Sequence, residues 1–201
     1  MSTLLLATNN RGKLVEIQDL LKNVNIELVT PDQIGLKLEV EEDGQTYAEN
    51  AARKAQAFAQ ASGLLTLADD SGLEVDALGG LPGLHSARFS PKPGATDADR
   101  RLLLLQRLQG HPRPWTARFR CLVALLNPGD PVQFTQGICP GEIVPEERGE
   151  NGFGYDPIFF LQEFGLTMAQ LSMDQKNQVS HRARAVKAAI PLLTKLIKNK
   201  P

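Results

Sequence analysis

The sequence predicts a mixed α/β fold with an elongated central sheet, flanked by helices and divided into two lobes. Short apolar runs alternate with helical patterns in the first third of the chain, as in strands that are joined by helices. Two longer apolar segments, residues 115–127 and 131–139, are separated by the turn sequence NPGD and indicate a hairpin in the second lobe. We find no internal repeat or low-complexity linker, so residues 1–201 are expected to form a single domain of two lobes. A crevice between the lobes is the expected ligand site.

Strands are predicted wherever a short aliphatic run is bounded by turn residues. Four such runs occur in the first half of the chain, at residues 3–8, 26–30, 37–41 and 64–68. The first run is followed by the turn NNRG and by a helix that has Leu14, Ile17 and Leu21 at helical spacing. The chain therefore begins with a strand, a loop and a helix.

Three later helices are recognised from their capping residues. Thr46, with Glu49 three residues later, predicts the start of an alanine-rich helix that runs through residue 61. Thr96 is expected to cap a helix that ends near residue 109, and Ser180 a last helix that ends near residue 198. Pro191 is expected to kink this last helix without ending it.

Composition narrows the class of protein. A chain of 201 residues can bury roughly 70% of its unfolded surface, and its net charge of −1 gives no basic face for nucleic acid. Cys121 and Cys139 lie in apolar surroundings without metal-binding spacing, and the N-terminus has no signal-peptide pattern. No apolar run reaches the length of about 18 residues that suggests a membrane span. We therefore expect a reduced, cytoplasmic protein without nucleic-acid or membrane partners.

The first of three polar segments is the predicted strand-to-helix turn ATNNRGKLVE. Free backbone N–H groups at such a turn attract an anion, and Lys13 would add a positive charge beside them. It is not a Walker loop, because GxxxxGK[ST] is absent. The alternative is an ordinary turn in which Asn10 caps the helix and Lys13 is solvated. This segment alone favours neither interpretation.

The second segment, ADDSG, places Asp69 and Asp70 directly after an apolar run. Together with Glu41 and Glu42 they could converge on a hard cation, since Mg²⁺ needs only one or two carboxylates plus phosphate oxygens. The alternative is a solvated acidic loop, with Asp69 capping a turn. Ser71 and the glycine after it favour a ligand site, because a core requires neither a hydroxyl nor a glycine at this point.

The third segment combines GENGFGYDPIF with the later DQKNQVSHRARA. Three glycines around Phe153 and Tyr155 predict a turned loop with exposed aromatic rings that could stack on a planar base; the alternative is that Phe153 belongs to the core. His181 and Arg182 lie at a predicted helix N-terminus, where cations are unfavourable to the helix dipole. Their position indicates an anionic or carbonyl-rich ligand between them, whereas His85 is expected to be structural.

The chain resembles the inosine triphosphate pyrophosphatase family, also named XTP/dITP diphosphatases. Five motifs carry the resemblance, in order and over nearly the whole chain: ATNNRGK, EEDGQTYAENAARKA, ADDSGLEVDALGGLPGLHSARF, GFGYDPIF and KNQVSHRARA. The chain departs from the family at His85, where the family usually has Tyr. That difference bears on local packing of the dimer or the pocket.

The resemblance implies roles for individual residues, a nucleotide-binding crevice between the lobes, and a homodimer. It implies that Asp70 is the general base and a metal ligand, and that Glu41 helps to hold Mg²⁺. Whether Glu41 or Glu42 reaches the metal is left undecided. The residues implied to grip the triphosphate are Thr8, Asn9, Asn10, Arg11, Gly12 and Lys13. Those implied to line the nucleotide pocket are Ser71, Phe153, Gly154, Tyr155, Asp156, Lys176, His181 and Arg182.

The activity that the resemblance implies is Mg²⁺-dependent hydrolysis of ITP, dITP and XTP to the monophosphate and pyrophosphate, which removes deaminated purines from the nucleotide pool. His181 and Arg182 are the expected donors to the 6-keto oxygen, because such donors would be left unpaired against the amino group of adenine. One alternative is a pyrophosphatase of the septum-inhibitor type that acts on dTTP, UTP or modified pyrimidine nucleotides. Another is a nucleotide-binding regulator without turnover.

Overall fold

A computed structural model describes residues 2–198, and within this range the chain forms one seven-stranded mixed sheet and five α-helices. The strands are β1 (Thr3–Leu6), β2 (Glu27–Val29), β3 (Leu65–Val75), β4 (Trp115–Leu126), β5 (Gln133–Ile143), β6 (Phe159–Leu161) and β7 (Leu166–Thr167). The helices are α1 (Arg11–Leu21), α2 (Tyr47–Ser62), α3 (Asp97–Leu108), α4 (Met173–Val179) and α5 (His181–Lys198). The strand order is β2-β1-β3-β4-β5-β6-β7, with β1 parallel to β2 and β3, and β6 antiparallel to β5 and β7. The predicted mixed α/β sheet is confirmed.

The predicted helix caps are confirmed where a side chain satisfies the first turn. Thr46 accepts a hydrogen bond from the Glu49 N–H at 3.1 Å and so begins α2. Thr96 and Asp99 form a complete capping box at the start of α3, with each side chain bonded to the backbone of the other. Gly63 ends α2 with a φ of 68°, a left-handed conformation that glycine adopts without steric cost. Local chemistry alone therefore determines these boundaries.

The strand prediction is wrong at residues 37–41, which form no strand. The alternating Leu38 and Val40 pack instead against the apolar cluster around α2, so burial produced the pattern without a neighbouring strand. The strand predicted at residues 64–68 continues to Val75, and the one predicted at 131–139 continues to Ile143. Helix α4 and strands β6 and β7 were not predicted from the sequence.

The described chain divides into two compact units. The first unit contains residues 2–70, 121–137 and 181–198, and the second contains residues 71–120 and 138–180. In the first unit, the sheet is covered on one face by an apolar cluster shared with α1 and α5 and on the other by a cluster shared with α2. This three-layer arrangement buries both faces of the strands that carry the candidate catalytic residues.

The second unit has its own apolar core, which includes the buried side of α3. Leu104 and Leu108 of α3 are fully buried there, and the rings of Phe119 and Phe159 lie 4.5 Å apart. His85 is exposed, and its Nδ1 accepts a hydrogen bond from Nε of Arg88 at 3.2 Å. No helix within residues 2–198 combines the length and the apolar character needed to cross a bilayer.

Candidate active site

The loop that joins β1 to α1 is closed by its own side chains. Oδ1 of Asn10 accepts a hydrogen bond from the Lys13 N–H at 3.1 Å, and Oγ1 of Thr8 accepts one from the Asn10 N–H at 3.2 Å. Asn10 therefore caps α1, as the alternative interpretation of this turn expected. Lys13, however, is not solvated, because its side chain is only 15% exposed. The remaining residues of the predicted triphosphate loop are Asn9 and Arg11, which are exposed, and Gly12, which is half-buried.

Asp69 and Asp70 lie within β3 and not after its end. The parallel pairing of β3 with β1 stops at Leu67, and β3 continues beyond it. Successive side chains of a strand point to opposite faces, so the two carboxylates are directed apart. Leu67 belongs to the cluster shared with α1 and α5, and Ala68 to the cluster shared with α2. Asp69 therefore faces α1 and α5, whereas Asp70 faces α2.

Asp69 is fully buried beside cations. Its Oδ2 lies 2.9 Å from Nζ of Lys13 and 3.4 Å from Nε of Arg182. Burial alone would raise the pKa of Asp69, but the charges of Lys13, Arg182 and Lys54 hold the pKa well below its usual range. The Cys121 thiol, 3.9 Å from the same oxygen, stays protonated because burial raises its pKa to about 12. Asp69 is thus an ionised partner for Lys13 throughout the neutral pH range.

A second ion pair extends this group of charges. Nη1 of Arg182 lies 2.5 Å from Oε2 of Glu16, and the two side chains are 2% and 5% exposed. Lys13, Asp69, Arg182 and Glu16 therefore form a row of alternating charges, which we call the buried charge chain. Buried charges are tolerated when each one is paired, which explains why two cations and two anions occur together. Arg182 is engaged by two carboxylates in this arrangement, and its predicted contact with a base stays a prediction.

Asp70 has the opposite electrostatic setting. It is 6% exposed, and its Oδ2 accepts a hydrogen bond from Nδ2 of Asn50 at 3.0 Å. Burial raises the pKa of the Asp70 carboxyl above its ordinary value, although the charge of Lys54 and the hydrogen bond from Asn50 oppose the rise. Two adjacent aspartates thus have pKa values shifted in opposite directions, a pattern that separates a proton acceptor from a permanently ionised group.

The acidic loop meets this face of the sheet through Lys54. Its Nζ lies 2.5 Å from Oε1 of Glu42 and donates to the backbone carbonyl of Asp69 at 2.5 Å. Burial would lower the pKa of Lys54, but the carboxylates of Asp69, Glu42 and Asp70 raise it. The negative charge of Glu42 also contributes to the raised pKa of Asp70, whereas Glu41 is exposed. Of the two glutamates, Glu42 is therefore the one that acts on Asp70.

Three charged or polar residues of this region were not predicted from the sequence: Glu16, Asn50 and Lys54. Asn50 and Lys54 are four residues apart in α2 and share its buried face with Ala51 and Ala55. Polar residues at that spacing, on the face of an alanine-rich helix that packs on the sheet, indicate a polar site and could have been recognised in the sequence. Glu16 lies beside the buried Ile17 on α1, but its partner is 166 positions away in the sequence, so no local pattern indicated it.

In the second unit, Asp156 organises the aromatic loop. Its Oδ2 accepts hydrogen bonds from the Phe153 N–H at 2.9 Å and from Nζ of Lys176 at 2.6 Å, and the Lys176 ammonium lies 5.4 Å from the centre of the Phe153 ring. Gly152 has a φ of 76°, and a Cβ at this position would overlap the Asp156 carboxylate. Phe153, Asp156 and Lys176 are therefore brought together, and Phe153 is half-buried.

The prediction that both aromatic rings of this loop are exposed is wrong for Tyr155. Its ring belongs to the apolar core of the second unit, and its hydroxyl donates to the carbonyl of Ser86 at 2.9 Å. The composition of the segment suggested exposure, but the turn after Gly154 directs Tyr155 inward. The remaining predicted pocket residues are Ser71, which is half-buried, and His181, which is buried.

Comparisons with known proteins found a matching family model, similar proteins of known name and similar solved structures. A family model described as Ham1 family matches residues 4–192. A dITP/XTP pyrophosphatase of Desulforamulus reducens is 47% identical over 194 residues, which is 96% of each chain, and one of Bacillus subtilis is 42% identical over 195 residues, which is 96% of this chain and 98% of that one. Among solved structures, a HAM1 protein from Coxiella burnetii superposes with a TM-score of 0.87 at 38% identity, covering 97% of this chain and 100% of that chain.

Proposed function

Because the chain belongs to the Ham1 family, we propose that it hydrolyses ITP, dITP and XTP to the nucleoside monophosphate and pyrophosphate. Water attacks the α-phosphorus, and pyrophosphate leaves with the electron pair of the bond that breaks. The reaction removes deaminated purines from the nucleotide pool. The related pyrophosphatases that are 42–47% identical over nearly the full length support this assignment.

The observation that carries the proposal is the placement of two adjacent aspartates on opposite faces of β3, with Asp69 beside Lys13 and Arg182 and Asp70 beside Asn50. Pairs of titratable groups whose surroundings separate their pKa values provide the acid and base roles of many hydrolases. Asp70 is the proton acceptor, because a carboxylate whose pKa is raised by burial is a stronger base for the attacking water. Asp69 stays ionised and holds Lys13, so it supports the reaction without taking the proton.

Lys13 and the loop before it bind the triphosphate in this proposal. The ion pair with Asp69 limits the positions that the Lys13 ammonium can adopt, so its charge is oriented before the substrate arrives. The backbone N–H groups at the start of α1 provide further positive potential for phosphate oxygens. Thr8, Asn9, Asn10, Arg11 and Gly12 complete the proposed triphosphate loop.

Mg²⁺ is the proposed cofactor, and the carboxylates that are present fit it. Within residues 2–198 no group of three or more His, Cys, Asp or Glu side chains could hold a metal ion. Mg²⁺ commonly uses only one or two carboxylates together with substrate phosphates, and Asp70 with a glutamate of the acidic loop meets that need. Because Glu42 pairs with Lys54, which also donates to the carbonyl of Asp69, whereas Glu41 is exposed, we favour Glu42 over Glu41 as the second ligand. When bound, Mg²⁺ would neutralise charge on the phosphate oxygens and make water more acidic.

Base selection is assigned to His181 and to the second-unit residues. His181 is buried and directly precedes Arg182 in α5. We propose that His181 carries more of the discrimination between a 6-keto and a 6-amino purine than Arg182, whose guanidinium pairs with Glu16 and Asp69. The other residues proposed to bind the nucleotide are Ser71, Phe153, Gly154, Tyr155, Asp156 and Lys176.

Pyrophosphate release from ITP, dITP, XTP, dTTP and GTP, each with and without Mg²⁺, tests the proposal against its two alternatives. We expect the deaminated purines to be the best substrates and activity to require the metal. A preference for dTTP would support the septum-inhibitor type of enzyme instead. Tight nucleotide binding without any pyrophosphate release would support a non-hydrolytic regulator.

The Asp70→Asn variant tests the role of the base. Loss of a general base lowers kcat by about a hundredfold or more, while nucleotide affinity changes little. Asp19→Asn is the matched control, because Asp19 of α1 forms a surface ion pair with Lys22, the residue that follows the helix. If Asp70→Asn raised KM and left kcat unchanged, Asp70 would be a binding residue and not the base.

A homodimer in the cytoplasm completes the proposal. The homodimer is an expectation from the family resemblance, and the cytoplasmic location is an expectation from the cysteine usage and the N-terminal sequence. Analytical ultracentrifugation of the purified protein should give twice the chain mass, and a sedimenting species of one chain mass at micromolar concentration would contradict it. Fractionation of cells that produce the protein tests the compartment.

A further inference from the structure

Both polar backbone groups of Gly154 are bonded to side chains of α3. Its N–H donates to Oδ2 of Asp97 at 2.7 Å, and its carbonyl accepts from Nη1 of Arg101 at 2.8 Å. The two side chains are one helical turn apart on α3, so they reach the loop from the same face of the helix. The peptide groups on both sides of the Gly154 Cα are therefore held from outside the loop.

Arg101 is itself held by a third residue. Its Nε and Nη2 donate to the two carboxylate oxygens of Glu147, each at 2.8 Å. This two-point contact fixes the plane of the guanidinium and directs the remaining nitrogen, Nη1, to the carbonyl of Gly154. Asp97, Arg101 and Glu147 together form what we call the α3 clamp.

The loop needs the clamp because its backbone is unusual. Gly154 has a φ of 63°, in the left-handed region that only glycine adopts without steric cost. Glycine also has the largest conformational freedom to lose on ordering, so bonds from outside must offset that cost. On the two sides of Gly154 lie Phe153, next to Lys176, and Tyr155, which is buried in the core. The position of the Gly154 backbone therefore determines the position of the Phe153 side chain.

We propose that Asp97 and Arg101 are positioning residues that hold the Phe153–Asp156 loop in its nucleotide-binding form. This inference rests on the proposed function, in which that loop binds the nucleotide. Neither residue contacts the reacting atoms. Without the clamp, the loop must be ordered at the moment of binding, and that cost appears in KM, whereas the hydrolytic groups of the first unit keep their geometry and kcat is retained.

Arg101→Met removes both functions of the guanidinium and keeps an unbranched side chain. We expect KM for ITP to rise about tenfold with kcat within about twofold, the scale for losing a charge-assisted hydrogen bond. Arg107→Met is the matched control, because Arg107 lies on the same helix and stacks on Phe89, away from the loop. Arg101→Lys should fall between the wild type and Arg101→Met, since an ammonium cannot bind Glu147 at two points and also reach the carbonyl.

Asp97 allows a rescue that a merely structural role would not give. Asp97→Ala removes the acceptor for the Gly154 N–H, whereas Asp97→Asn keeps an oxygen at the same place. We expect KM to rise in Asp97→Ala and to return to within about threefold of the wild type in Asp97→Asn, a small loss because a neutral acceptor bonds more weakly than a charged one. Equal KM values for the two variants would contradict positioning through this hydrogen bond.

Amide hydrogen exchange of residues 150–157 provides a readout that is independent of activity. In Arg101→Met and Asp97→Ala the segment should exchange at least about tenfold faster than in the wild type and in Arg107→Met, because its external bonds are lost. Faster exchange with unchanged KM would overturn the link to nucleotide binding, and a raised KM with unchanged exchange would overturn the clamp. If the wild-type protein released no pyrophosphate from ITP, the proposed function would be refuted. The exchange rates alone would then show whether the α3 clamp orders the loop.

Discussion

The Glu16→Gln substitution tests whether the buried charge chain contributes to both stability and catalysis. It removes the charge that faces Arg182 at 2.5 Å, in a pair whose side chains are almost completely buried. Breaking a buried ion pair by neutralising one partner costs about 3–5 kcal/mol. Because Arg182 keeps Asp69 as a partner and Gln keeps an oxygen acceptor, we expect the lower end, about 3 kcal/mol. For a chain of this size that loss lowers Tm by about 6–12 °C.

Thermal unfolding followed by circular dichroism measures this loss directly. The matched control is Glu146→Gln, since Glu146 is 70% exposed and pairs with Arg148 at the surface. Such an exposed pair contributes little to stability, so its loss should lower Tm by no more than about 4 °C. If both variants lowered Tm equally, the Glu16–Arg182 pair would stabilise the protein no more than a surface ion pair does. The proposed contribution of the buried charge chain to stability would then be wrong.

The same variant should also change the reaction. With its second carboxylate gone, Arg182 is drawn toward Asp69 and competes with Lys13 for the same oxygen, Oδ2. We therefore expect KM for ITP to rise several-fold at temperatures where the variant is fully folded, because the Lys13 ammonium is less well oriented. If the kinetic constants were unchanged while Tm was lowered, the buried charge chain would have a structural role only.

Two further predictions concern the aspartates. Lys54→Met should move the acid limb of the pH profile of kcat/KM to higher pH, because the charge of Lys54 favours the ionised form of Asp70. The control is Arg53→Met, on the exposed side of α2, which should leave the acid limb unchanged. An acid limb that did not move in Lys54→Met would exclude Asp70 as the titrating group. Asp69→Asn should lower stability at pH 7 and Asp70→Asn should raise it. The folded pKa of Asp69 is depressed, so its contribution is complete above its ordinary pKa of 3.8 and is lost as the pH falls below that value. The folded pKa of Asp70 is raised, so its ionisation costs stability as the pH rises above 3.8. Chemical unfolding of both variants at pH 7 tests this pair, and changes of the same sign would contradict it.

Features that depend on a few neighbouring residues could be predicted from the sequence. Thr46 and Thr96 satisfy the first turns of their helices through residues three positions away, and that chemistry is visible in the sequence. The predicted strand at residues 37–41 was wrong because alternation reports which side chains are buried and not whether a partner strand is adjacent. For the same reason, the end of the apolar run at Ala68 predicted too early an end for the strand. Polar side chains follow Ala68 in the sequence, but β3 continues to Val75.

The ion pairs of the candidate site could not be predicted in this way. Arg182 was recognised as unusual because a cation at a helix N-terminus is unfavourable, and that argument indicated a negative partner. The sequence could not show that the partners are Glu16 and Asp69, because they are 166 and 113 positions away and meet Arg182 only after α1, β3 and α5 have packed together. The Arg182 cation requires a negatively charged partner. An external ligand, as the sequence suggested, or the internal carboxylates found in the structure would both meet that requirement.

The continuation of β3 explains how two adjacent carboxylates can have different chemistry. In a turn, both would be solvated, both pKa values would stay near 3.8, and neither would be distinguished as a base. In a strand that is covered on both faces, the alternation of side chains places Asp69 with the cations of α1 and α5, and Asp70 with the amide of Asn50 on α2. The cations then lower the pKa of Asp69, whereas burial raises the pKa of Asp70 against the opposing charges of Lys54 and Lys13. The two residues are therefore not interchangeable, and the carboxylate of Asp69 cannot compensate for the loss of the Asp70 carboxylate.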